Sequence, residues 1–196
     1  CCGLLSLASV CERSVFTAPL IEQVPYYVSA PLENGVAAVV IYNLCVDSVT
    51  VSGTIDSSDY SMTGTLLQPY SGKWKLPEEG LFLYDYDAHT GYPIGKNKHK
   101  FQISGFDDKL YFFIPIYKGW AVIGRTDKYL SPATVSDIKY KRNSLELILS
   151  EAGIFDFWMK EGTPYAENIT FTSLGNGIWR ANAEHISNNR IIILKK

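Results

Sequence analysis

Short apolar segments rich in β-branched and aromatic residues recur along the whole chain, and turn residues separate them. Some are apolar throughout and others alternate between apolar and polar positions, as expected for strands buried on two faces or on one. The clearest segments are 35–46, 48–55, 80–94, 100–106, 109–117, 144–149 and 154–159. Turn signals spaced by about 8 to 12 residues are typical of a β-sandwich. We therefore predict an all-β fold, an antiparallel β-sandwich of two packed β layers or subdomains.

No low-complexity linker and no internal repeat divides the chain. The pattern predicts a main β-sandwich over 15–135 and further strands over 136–196 that complete or extend it. Residues 1–14 are expected to be a remnant or connector. Their apolar run is too short for a membrane span and lacks the basic stretch of a secretory signal. With no initiator Met at its start, the sequence is expected to be an internal piece of a longer chain.

Composition narrows the classes of partner. A net charge of −2 and a hydrophobic fraction of 46% indicate a soluble globular protein that neither nucleic acid nor an anionic membrane would attract. The four cysteines form no CxxC pair and the three histidines no HxH or HExxH pair, so we predict no metal site and no cofactor. Reduced thiols favour a reducing compartment and hence a cytoplasmic location.

Candidate acids are few. Asp85 and Asp87 alternate on one predicted strand at roughly 6 to 7 Å, a separation that glycosidase chemistry can use. The same alternation is typical of the solvated side of an edge strand, which we favour. Asp107 and Asp108 are adjacent and are interpreted as a turn. No catalytic residue is predicted.

Aromatic residues offer a different chemistry, because the apolar face of a sugar ring packs on an aromatic plane. The chain has 13 Tyr and 4 Trp. Trp74 lies between Gly72 and Pro77 in a loop-like segment, and Tyr84, Tyr86 and Tyr92 surround a predicted turn. Trp74, Tyr86 and Tyr92 are the candidate carbohydrate-binding residues, although Trp74 could equally cover the end of the sandwich.

The order of segments is familiar. "NGVAAVVIYNL", "VTVSGTI", "LFLYDYDAHTG" and "FQISGFDDKLYFFIPIYKGWAVIGRTDKYLSPATV" resemble the region after the catalytic barrel in glycoside hydrolase family 36. The similarity is greatest to its raffinose-synthase-like and archaeal α-galactosidase branch. It continues through "SLELILSEAGIFDFWMKEGTPYAENITF" and spans most of 33–196. In that family the barrel supplies two catalytic aspartates, whose motifs do not occur here, so no catalytic residue is carried over.

The resemblance implies a non-catalytic C-terminal β domain that packs against a catalytic barrel, supplied in cis or in trans. Its partners would be that barrel and, through it, α-galactosides. Two alternatives stay open: a stand-alone carbohydrate-binding module that uses exposed aromatic residues, and a small hydrolase that uses Asp85 and Asp87.

Overall fold

The computed structural model describes residues 24–45, 49–66, 72–186 and 189–196. The segment 1–14 lies outside these ranges. The described residues form strands β1 (Tyr26–Pro31), β2 (Ala37–Asn43), β3 (Thr50–Ile55), β4 (Leu81–Asp85), β5 (Thr90–Pro93), β6 (His99–Ser104), β7 (Asp107–Pro115), β8 (Trp120–Gly124), β9 (Val135–Lys141), β10 (Ser144–Leu149), β11 (Ile154–Met159), β12 (Pro164–Tyr165), β13 (Thr170–Gly175), β14 (Ile178–Asn182) and β15 (Arg190–Lys195). One α-helix, α1 (Ser57–Thr63), follows β3.

The strands pair into four antiparallel sheets. Sheet A has the order β1-β2-β7-β4-β5, sheet B is the pair β3-β6, sheet C has the order β13-β14-β11-β8, and sheet D has the order β12-β15-β10-β9. Sheets A and B form what we call the first sandwich, and sheets C and D form the second sandwich. The all-β prediction is confirmed.

Three apolar clusters show how the sheets stack. Val51 and Phe101 of sheet B pack with Leu83 and Phe113 of sheet A. On the opposite face of sheet A, Phe112 packs in a cluster that includes residues of sheet C. The four sheets therefore lie in the order B, A, C, D.

The remaining two interfaces involve sheet C. Its residues Ala121 and Trp158 belong to the cluster shared with sheet A, and the Trp158 ring stacks on Phe82 at 5.3 Å. Phe157 faces the other way and packs with Leu147 of sheet D. Because successive side chains of a strand point to opposite faces, a strand between two covered faces must be apolar at nearly every position.

The chain crosses from the first sandwich to the second at a tight turn. Lys118 and Gly119 have φ values of 53° and 78°, and a single bridge joins Tyr117 to Trp120. Two successive residues with positive φ are typical of a type I′ turn. From β8 onward every described strand belongs to sheet C or sheet D.

Two local predictions have opposite outcomes. In the segment 55–62, Ser and Asp residues favour a capped helical turn; this turn is confirmed as α1, and Asp56 caps it through a capping box with Asp59. The turn expected at Asp107 and Asp108 is wrong, because both residues begin β7 and pair with β2. The turn lies just before them and includes Gly105, at φ 75°, which glycine adopts without the strain of a Cβ atom.

Candidate functional site

Trp74 lies half-buried beside α1. Its ring contacts Tyr60 at 5.1 Å between centroids, and its backbone N–H donates to the Ser61 carbonyl at 2.9 Å. A Cβ atom at Gly64 would lie 2.4 Å from the Trp74 ring, so the glycine is what allows the indole to approach. One face of the indole thus covers the first sandwich.

Tyr86 follows β4 and packs at the edge of the interface between sheets A and C. Its ring meets Phe112 at 6.2 Å and Tyr129 at 5.5 Å, both edge to face. Its hydroxyl donates to the Thr126 carbonyl at 3.4 Å. These contacts fix the ring between a core residue and the loop after β8.

Tyr92 lies on β5, an edge strand, and 40% of its surface is exposed. Its hydroxyl is 2.8 Å from Nδ1 of His99, and Nε2 of the same imidazole is 3.3 Å from the Tyr111 hydroxyl. Asp85 lies opposite Tyr111 in the sheet register. We call these four residues the edge network; it joins sheet B, through His99, to sheet A.

Burial governs the titration of the edge network. It lowers the pKa of His99 below its usual value, because the imidazolium loses hydration, although the Asp85 carboxylate acts in the opposite direction. Burial also raises the pKa of Tyr92, and burial followed by the Asp85 charge raises that of Tyr111. The neutral imidazole has a phenol at each nitrogen, so the network is satisfied internally.

The three predicted aromatic residues do not form one surface. Tyr92 pairs with Leu83, whose side chain faces sheet B, whereas Tyr86 packs on the side that faces sheet C. Trp74 contacts the helix instead. Sugar binding by any of the three stays a prediction, and it would have to use them singly.

Asp85 and Asp87 both hold the connection between β4 and β5. Asp85 accepts a hydrogen bond from the Ala88 backbone at 3.0 Å. Asp87 accepts one from the Leu110 backbone at 3.3 Å, and burial is the largest cause that raises its pKa. One oxygen of each carboxylate thus accepts a hydrogen bond from a backbone N–H group, in the connection itself for Asp85 and on β7 for Asp87.

Asp156 and Arg180 form a pair that the sequence pattern did not bring to attention. Asp156 lies on β11 with 0% exposure, and its two oxygens accept from Nε and Nη2 of Arg180, both at 2.9 Å. Such a fork-to-fork pair compensates a buried carboxylate. The sequence holds one indication of this pair: an acid lies inside the apolar run "IFDFWM", and a buried charge needs a partner.

The two outer faces of the stack differ in chemistry. The outer face of sheet B is polar, and Thr50 and Ser104 bond across it at 2.8 Å. On sheet D the outward positions of β15 and β12 include Ile192, Leu194 and Tyr165, which are 50%, 44% and 45% exposed. Tyr165 pairs with Leu194 in the register, and we call these three residues the apolar row.

Charged side chains border the apolar row. Glu146 lies opposite Ile192 and pairs with Arg190 and with Lys139, while the Lys196 ammonium lies 3.7 Å over the Tyr165 ring. An apolar strip with a charged border is the usual anatomy of a protein interface.

Within the described ranges, no group of three or more His, Cys, Asp or Glu residues could hold a metal ion. In the same part of the chain, no helix has the length and apolar character needed to span a membrane. A scan against models of protein families and a search of curated proteins both find no match to this chain.

Proposed function

We propose that this chain is a non-catalytic β domain of an α-galactosidase-like glycoside hydrolase of family 36, which packs against the catalytic barrel and supports it. The apolar row on the outer face of sheet D is the observation that carries the proposal. The order of sequence segments from 33 to 196 supports the choice of family.

The position of the apolar row favours a protein partner. β15 is an interior strand of its sheet, so Ile192 and Leu194 lie within the face and not at its margin. Burying the exposed part of each of the three side chains would contribute roughly 1 kcal/mol. That total is small compared with the entropic cost of association. Such a surface therefore suits docking to a partner that is held nearby at high effective concentration, as within one chain.

The carboxylates support a non-catalytic role. Asp85 and Asp87 accept hydrogen bonds from the backbone, and both oxygens of Asp156 accept from Arg180. A glycosidase needs two carboxyl groups that flank a sugar bond with free oxygens. In the proposed enzyme the barrel supplies both.

The docking test uses two double variants with equal charge change. Ile192→Asp with Leu194→Asp alters the apolar row, and Thr54→Asp with Ser104→Asp alters the outer face of sheet B as the matched control. The wild-type chain and each variant are fused through a flexible linker to the barrel of a raffinose-synthase-like family 36 enzyme that lacks its own β domain. The barrel's hydrolysis of a chromogenic α-galactoside is followed during mild heating.

We expect the wild-type chain and the sheet B control to prolong barrel activity, and the sheet D variant to lose this effect while keeping its own thermal unfolding profile. Equal protection by all three proteins would contradict the assignment of the docking face. No protection by the wild-type chain, together with no barrel encoded in frame or beside it, would overturn the proposed function.

A further inference from the structure

A charged cleft of about 340 Å³ lies where several connections of the fold meet. The β7–β8 turn contributes Lys118, the β9–β10 turn contributes Arg142, and the β11–β12 connection contributes Lys160. Lys195, near the end of β15, also lines it. Four separate parts of the chain thus bring a cation to one place.

Backbone hydrogen bonds hold these connections together. The Glu79 carboxylate accepts from the backbone N–H groups of Lys118 and Gly119 at 2.8 and 2.7 Å. The Lys160 N–H donates to the Gly119 carbonyl at 2.9 Å, and the Lys195 N–H donates to the Asn143 carbonyl at 3.0 Å. The positions from which the cationic side chains project are therefore fixed by the fold.

The charges of the cleft do not balance. Two carboxylates, Glu79 and Glu161, face four cations, which leaves a local charge of +2 in a chain whose net charge is −2. Glu79 is occupied by the turn, and Glu161 binds Lys195 at 2.8 Å. Within the described ranges no ion pair involves Lys118, Arg142 or Lys160.

The pKa of Glu161 shows how the cations of the cleft act on an anionic group. The pKa of Glu161 lies below its usual value, chiefly because Lys195 donates a hydrogen bond to it, with further contributions from Lys160 and Arg142. An anion placed among these cations is therefore stabilised. Cations that converge without enough acids repel one another, and an added anion relieves that repulsion.

We propose that this cleft binds a small ligand that carries a dianionic phosphate or sulfate group. The planar guanidinium of Arg142 can bind two oxygens of such a group side by side, and the ammonium groups of Lys118 and Lys160 add point charges around it. The inference rests on the second sandwich and the β7–β8 turn, and it does not depend on the proposed barrel partner.

The test compares variants that each remove one charge. Arg142→Gln and Lys160→Gln alter the cleft. Lys100→Gln removes the same charge from an exposed position of sheet B, whose strands do not line the cleft. Backbone amide shifts of the whole chain are followed by NMR during titration with inorganic phosphate, inorganic sulfate, glucose 6-phosphate and neutral galactose at low ionic strength.

We expect phosphate or sulfate to shift the amides of residues 118, 119, 142 and 160, which line the cleft, with saturation, while galactose does not. Each cleft variant should bind more weakly by up to about 5-fold, the upper end of what loss of one exposed ion pair predicts, and Lys100→Gln should bind like the wild type. Tighter binding of glucose 6-phosphate than of free phosphate would identify an ester as the ligand; equal binding would identify the free anion.

A variant that should bind anions more tightly controls for weakening that is caused by partial unfolding. Glu161→Gln removes a carboxylate and releases Lys195, so it should tighten anion binding about 3-fold. Absence of saturable shifts with every anion would overturn the proposal. So would equal weakening by Lys100→Gln, or weaker binding by Glu161→Gln, because each would show that the cleft has no specific part in the effect.

Discussion

Asn43 offers the most exact test of how the first sandwich is held together. This residue ends β2 with 1% exposure. Its Nδ2 donates to the carbonyls of Val49 and Ile103 at 2.8 and 3.0 Å, and its Oδ1 accepts from the Cys45 N–H at 3.0 Å. One amide therefore ties sheet A to β6 and to the connection before β3.

We expect Asn43→Ala to destabilise the protein by about 2 to 3 kcal/mol. Three net hydrogen bonds at about 1 kcal/mol each give the upper value. The lower value follows because the Gly105 N–H still donates to the Val49 carbonyl at 3.0 Å, so that acceptor keeps a partner. Against a typical total of about 5 to 15 kcal/mol, such a loss is readily measured.

Urea unfolding measures the total effect, and hydrogen exchange measured by mass spectrometry locates it. The matched control is Asn97→Ala, which deletes the same amide from an exposed turn position and should change stability by less than about 0.5 kcal/mol. Exchange should accelerate in β3 and β6 and stay unchanged in sheet D. A loss below about 1 kcal/mol, or equal acceleration in sheet D, would refute the proposed tie.

Three further predictions address strain, pH and sugar binding. Gly124→Ala should lower the free energy of unfolding by more than about 3 kcal/mol, measured by thermal unfolding, because φ is 89° and the new Cβ would lie 2.0 Å from the Ser131 carbonyl oxygen. The control Gly105→Ala, at φ 75° with open space around it, should cost about 1 kcal/mol, and equal costs would contradict the steric argument. The pKa of His99 is lowered on folding, chiefly by burial, so its contribution to stability is present above about pH 6.5 and is lost as pH falls through that value toward the folded pKa. In His99→Gln the free energy of unfolding should therefore decline less on acidification than in the wild type, and an equal decline would contradict the role of His99. Calorimetric titration with raffinose tests the aromatic candidates: any heat of binding should be abolished by Tyr92→Ala if that ring is a platform, and saturable heat that Tyr92→Ala leaves intact would remove Tyr92 from the candidates.

Local patterns predicted the strands well because the information is local. The run 154–159 became β11 with the same bounds, and 35–46 contains β2, since both are apolar and end at turn residues. The error at Asp107 arose because aspartate favours turns, whereas Gly105 takes the positive φ here and lets the polar pair extend β7.

Sheet membership could not be predicted, because it depends on pairings that are distant along the chain. Only four residues, 116–119, connect β7 to β8, yet the two strands belong to different sheets, and β10 pairs with β15. The aromatic candidates failed to converge for a related reason. Only the register shows that Tyr92 lies opposite Leu83 and therefore on the face away from Tyr86, since one residue of slip reverses every side chain.

The two proposed surfaces share an origin in the second sandwich. In the first sandwich, one face of sheet A is covered by sheet B, whose outer face is polar, as shown by Thr50 and Ser104. In the second, Ile192 and Leu194 face outward, and the cations of the cleft gather where its connections end. Exposed apolar side chains and unpaired like charges both raise the free energy of the isolated fold. Each is relieved by a different occupant, a protein surface for the apolar row and an anion for the cleft, so Arg142→Gln should weaken anion binding and leave docking of the apolar row unchanged.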